Sequence, residues 1–104
     1  MRPQKLYKVQ CDVITMLKSM DKVTPERLQK YFSYTRDALL EAKAAINKQK
    51  EKDALDFLDM ASRYFSDAEF FEKKGDRVTA FAALNYAHGW LDAGARIKLF
   101  LVTN

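Results

Sequence analysis

Glycine and proline are scarce in this chain, with 3 and 2 residues in 104. Tight turns draw heavily on both, so their scarcity excludes a fold of many short strands and favours a few long helices. The one cysteine, Cys11, rules out an intramolecular disulfide and fits a reducing compartment. No histidine or second cysteine lies near it in sequence, so it reads as a small packed residue. With one histidine in the whole chain as well, a zinc site is not expected, and neither is any other metal or cofactor. No run approaches the ~20 consecutive apolar residues of a membrane-spanning helix, and the N-terminus lacks the apolar core of a signal peptide. A cytoplasmic protein without membrane contact is therefore expected.

What is present is ordinary globular material. Hydrophobic residues make up 48% and charged residues 31%, which argues against disorder. A chain of this length forms one domain, here 1–104, burying roughly 60–68% of the surface its unfolded form exposes. The net charge of +4 is unevenly placed: residues 1–52 carry 12 Lys/Arg against 6 Asp/Glu, and residues 53–104 carry 6 against 8. A basic half of this kind suits an anionic partner such as nucleic acid, although solvated lysine faces are common.

Apolar spacing predicts four helices. In the first, over about 4–20, Leu6, Val9, Val13, Met16, Leu17 and Met20 share one face. Thr24-Pro25-Glu26 opens a second with a capping hydroxyl, a proline at the first helical position and an acid at the positive dipole end. It should reach about Lys48 with Leu28, Tyr31, Phe32, Thr35, Leu39, Ala42 and Ile46 inward, and Glu41 among the residues facing water. The apolar-free run 47–52 is the next bend. Asp53 should cap a third helix to Lys74, its core face Ala54, Phe57, Leu58, Ala61, Tyr64, Phe65, Ala68 and Phe71. Gly75 ends it in the left-handed conformation, and Asp76 caps a fourth that runs to the C-terminus. The first helix is an addition (residues 1–22) to a three-helix core over 24–104.

The fourth helix, within KGDRVTAFAALNYAHGWLDAGAR at 74–96, is apolar or small on nearly every side. Phe81, Leu84, Leu91, Leu99 and Val102 form one face; Tyr86, Trp90, Ile97 and Leu101 form another. A helix of this kind is expected to be the buried centre of the bundle, its alanines and glycines letting neighbours come close.

Its narrow polar stripe holds the candidate site residues Asn85, His88, Asp92 and Arg96. His88, Asp92 and Arg96 follow at i, i+4 and i+8, so they can hydrogen-bond in series. Asp92 could orient His88 as a general base. The structural reading, a satisfied polar stripe with Asp92 held by Arg96, carries more weight. Asp53, Asp56 and Asp59, with Glu69 and Glu72 beyond, raise a metal-dependent hydrolase as a further possibility. Asp56 and Asp59 point away from the core stripe, however, and a solvated face explains them better. Leu40, Met60 and Phe70 lie off their helices' main stripes and form a candidate surface for a partner. Lys43, Lys48, Lys50 and Lys52 make a basic bend without the interleaved aromatics that stack nucleic-acid bases.

The pattern Gly75-Asp76…Ala80…Tyr86-Ala87-x-Gly89-x-x-Asp92-Ala93-Gly94 resembles an archaeal family of short all-helical proteins whose function is unknown. Residues 31–38 and 64–68 look like its other segments, so the resemblance covers about residues 28–100. It implies an up-and-down bundle of three long helices in a cytoplasmic archaeal protein, and it supplies no reaction or catalytic residue. The hairpin around Gly75 is also similar to a tetratricopeptide unit, which needs about three stacked repeats where one is visible. It looks as well like the HEPN class of nucleotide- and RNA-associated helical domains. The nuclease members of that class keep an arginine within one or two turns of the histidine, whereas Arg77 lies eleven residues before His88.

The sequence thus points to an all-α antiparallel up-and-down bundle, three long core helices plus an N-terminal helix. The leading function is a non-catalytic interaction module, expected as a homodimer or with another protein partner. The alternative is a nucleotide- or RNA-binding domain using the basic half and the His88–Arg96 stripe.

Overall fold

The structure, a computed structural model, describes residues 22–102; the helix expected over 4–20, with Cys11, lies outside them. Three long helices follow one another: α1 (Pro25–Ala44), α2 (Glu51–Lys73) and α3 (Arg77–Arg96), with a 3₁₀ turn at Lys48–Lys50 leading into α2. No strand occurs among the described residues, only an isolated bridge between Ile46 and Phe100.

The start of α1 follows its sequence signals. Thr24 Oγ1 accepts from the Arg27 N–H at 3.2 Å, and Pro25 occupies the first turn. The turn between α2 and α3 also has the expected chemistry. Gly75 sits at φ 81, where a side chain would be strained. The Gly75 and Asp76 N–H groups donate back to the Glu72 and Phe71 carbonyls, the paired bonds of a Schellman ending. Asp76 then caps α3 through Oδ1 on the Thr79 N–H at 3.0 Å. Hydrogen bonds from Thr79 hold the Asp76 carboxyl below its ordinary pKa.

Two helix ends differ from expectation, and one pairing accounts for both. α1 stops at Ala44 rather than Lys48, and α3 stops at Arg96 rather than running to the C-terminus. Beyond Arg96 the chain turns through Lys98 at φ 67. Lys98 and Leu99 N–H donate to the Ala95 and Gly94 carbonyls, a second Schellman ending with lysine in the place glycine prefers. The segment after it returns along 45–47: the Asn47 N–H donates to Leu99 O at 2.9 Å, and the Leu101 N–H to Ala45 O at 2.7 Å. Backbone groups used there cannot continue either helix. Asp53, expected to cap α2, lies inside its first turn instead: α2 begins at Glu51 with no side-chain cap at Lys50, and Asn47 caps the preceding 3₁₀ turn. Asn47 Oδ1 accepts from the Gln49 N–H, and its Nδ2 donates to Lys98 O at 2.8 Å.

The core divides into two clusters. One, at the Gly75 end, gathers Leu28, Tyr31, Phe32, Ala68, Phe81 and Leu84. The other, at the far end, gathers Ala38, Leu58, Ala61, Leu91, Leu99 and Phe100. Alanines 38, 42, 54, 61, 68, 80 and 87 are all fully buried, so the helices meet at small side chains. Phe100 fills the space that Gly94 leaves: a Cβ there would stand 2.4 Å from Phe100 Cε2.

α3 is central but not buried all round. It packs on α2 and on α1, while Val78, Ala82, Tyr86 and Ala93 on its remaining side are exposed and Gly89 is half-buried. The expectation of close contacts at Gly89 is corrected with it, since no heavy atom lies within 4 Å of a Cβ built there.

Candidate functional site

The four polar residues of α3 end in different surroundings. His88 is only 3% exposed, and its Nδ1 lies 3.0 Å from Thr35 Oγ1 on α1. Among the described residues these two are the buried polar ones, and neither belongs to an apolar cluster. Burial pushes the imidazole pKa down from 6.5 to about 4, so His88 is neutral at physiological pH. Which partner donates to the other depends on the ring tautomer. Nε2 is buried and has no hydrogen-bond partner among the described residues.

Asp92, one turn on, is half-buried. Desolvation raises its carboxyl pKa, and the Arg96 charge works against that rise. Its Oδ1 is buried without a partner among the described residues, as is Glu41 Oε1, so Glu41 is less solvated than its helical position suggested. Arg96 itself is exposed. Asn85 faces elsewhere, onto a groove it lines with Phe57, Tyr86, Gly89, Trp90 and Ala93.

That groove, about 300 Å³, lies between α2 and α3. Two ring pairs build its walls. Phe57 meets Trp90 edge-on with centroids 4.9 Å apart, and Tyr64 stacks on Tyr86 at 5.2 Å. Tyr86 is nevertheless 63% exposed. Sequence spacing identified these aromatics but assigned them to the core, because helical periodicity does not say how many neighbours surround a helix. Among the described residues, no three His, Cys, Asp or Glu side chains come together as metal ligands would.

The remaining candidates differ in exposure. Leu40 on α1 and Phe70 on α2 are 59% and 54% exposed. Phe70 leans edge-on against Phe71, under the Lys74 ammonium. Met60 is half-buried and stands about 15 Å along α2 from Phe70, one turn from both Phe57 and Tyr64. Of the basic bend, Lys50 Nζ donates to Ile97 O, and Lys48 lies 3.9 Å from Glu51.

The architecture is thus a small all-helical bundle with a neutral histidine locked between its helices and an aromatic groove on one side. The chain belongs to the DUF357 family, described as proteins of unknown function, whose model matches residues 30–100. That range runs from the first turns of α1 to Phe100, the residue seated on Gly94. No curated protein and no solved structure matches the chain. No helix among the described residues is long and apolar enough to cross a membrane.

Proposed function

We propose that this chain is a non-catalytic helical interaction module that works in the cytoplasm and associates with a second copy of itself. The observation that carries this reading is the set of large apolar side chains at the surface. Leu40, Leu55, Phe70, Ile97 and Leu101 are each about half exposed or more. Apolar surface is worth roughly 25 cal/mol per Å² when covered, so a partner that covers several of these residues gains substantially. The reading takes the whole chain as one domain, an antiparallel up-and-down bundle in which residues 4–20 supply a further helix. The progression of the ring pairs supports the antiparallel arrangement: Tyr64 meets Tyr86 and Phe57 meets Trp90, so contacts descend α2 as they climb α3. The engagement of His88 with Thr35 supports the absence of acid–base chemistry at the polar stripe, because a general base must reach a substrate proton.

Sedimentation of the full chain at micromolar concentration tests this. A dimer that resists high salt and is weakened by Leu40→Glu or Phe70→Glu is expected, since apolar association is insensitive to screening. A monomer at every concentration would sink it. Tight RNA binding that falls steeply with salt would replace it with the nucleic-acid reading.

A further inference from the structure

The open side of α3 carries an apolar stripe that no further helix covers among the described residues. Val78, Ala82, Tyr86, Gly89 and Ala93 follow at intervals of 4, 4, 3 and 4, the spacing of one helix face. Val78 is 69% exposed and Tyr86 63%. Phe57 and Tyr64 of α2 border the stripe and make it a groove. The small residues Ala82, Gly89 and Ala93 leave room for another helix to approach closely, as in bundle packing.

We propose that the groove is the seat of the chain's own residues 4–20, docked as a helix running in the opposite direction to α3. Three observations on this chain select that occupant. The first is position. Residue 22 begins at the Gly75 end of the bundle, where the Arg77 side chain donates to the Val23 carbonyl and Val23 packs on the neighbouring core cluster. The segment before it therefore enters at the Val78 end of the stripe.

The second is length and register. Seventeen helical residues span about 26 Å, and the stripe from Val78 to Ala93 spans about 23 Å. Counting back from residue 22 opposite Arg77, equal rise sets Met20 beside Val78 and Leu17 beside Ala82. Val13 then meets Tyr86, Val9 meets Gly89 and Trp90, and Leu6 meets Ala93. The apolar face read from the sequence thus coincides with the stripe along its whole length.

The third is charge. Asp53, Asp56 and Asp67 are exposed and lie one turn from Phe57, Met60 and Tyr64 on α2. The ring pairs place Asp67 level with Ala82, and Asp53 and Asp56 level with Ala93. In the docked register these are the levels of Lys18 and of Lys5 and Lys8. A basic segment meets an acidic rim.

This extends the module reading without depending on self-association through Leu40 and Phe70: a monomeric chain would sink that reading and leave this one intact. The chain has one tryptophan and one cysteine, Trp90 in the groove and Cys11 in the segment. Labelling the full chain at Cys11 with a dye that accepts tryptophan emission therefore measures the docking without a mutation in the groove. Efficient transfer from Trp90 is expected, and it should persist in a large excess of unlabelled chain. Val13→Asp, on the apolar face, should abolish the transfer and shift Trp90 emission to the red, while Thr15→Asp, on the opposite face, should change neither. Loss of transfer on dilution with unlabelled chain would overturn the proposal in favour of a second copy's segment. Absent transfer, or equal responses to the two substitutions, would overturn docking at this groove altogether.

Discussion

Thr35 Oγ1 and His88 Nδ1, 53 residues apart in sequence, meet at 3.0 Å in the buried interior. The contact joins α1 to α3 and lies between two apolar clusters, each of which could tolerate some sliding of the helices. A hydrogen bond in dry surroundings penalises such sliding, because any shift leaves a desolvated polar atom unpaired. Thr35→Val keeps the shape and strands the imidazole nitrogen, so it should cost about 1–3 kcal/mol. Thr35→Ser keeps the hydroxyl and should cost less. Urea denaturation of the two variants checks the ordering.

The buried imidazole should also make stability depend on pH. Its folded pKa of about 4 lies below the ordinary 6.5. The unfolded chain therefore binds the proton first as pH falls. The contribution is complete above pH 6.5 and is lost between there and about pH 4, amounting to roughly 3 kcal/mol if His88 acts alone. Asp92 acts in the opposite sense: its raised pKa favours the folded state in acid and removes that advantage as pH rises above 3.8. His88→Gln should flatten the fall between pH 6.5 and 4. Melting curves of wild type and variant across that range measure the difference, and parallel curves would show that His88 is not the group responsible.

The two glycines inside α3 should respond oppositely to alanine. At Gly94 the new Cβ would press on the ring of Phe100, itself 1% exposed. Overpacking of this kind costs about 1–3 kcal/mol, more than the roughly 1 kcal/mol that helix propensity returns. Gly89 meets nothing within 4 Å, so Gly89→Ala should gain most of that roughly 1 kcal/mol. Calorimetric melting temperatures that move in opposite directions are the expected result.

The return of the chain after α3 offers a third contrast. Lys98 holds φ 67, a conformation that costs an ordinary residue about 1–2 kcal/mol, and Lys98→Gly should raise the melting temperature. Asn47→Ala removes the cap on the 3₁₀ turn and the bond to Lys98 O together. It should lower stability by about 1–2 kcal/mol. Combined, the two changes should fall short of additive, because both act on the same pairing.

Local chemistry was legible in the sequence wherever the signal was local. Thr24-Pro25, Gly75 and Asp76 mark their helix ends because capping is settled within three or four residues, and the 3.6-residue apolar period identified Leu28, Phe32, Leu58 and Leu84 as inward-facing. Tertiary structure decided what those signals omit. Lys98 is not the residue type that normally announces a stop. α3 ends because the segment after it gains two backbone hydrogen bonds with 45–47 and the burial of Leu99 and Phe100, a non-local gain that no short window contains. Periodicity likewise separated the faces of α3 but could not say how many would be covered. Tyr86 and Gly89 face outward because two described helices pack on α3 and leave its third side open. The polar stripe shows the same division: spacing placed Asn85, His88, Asp92 and Arg96 on one helix, while Thr35, arriving from α1, drew His88 inward and left Asn85 to the groove.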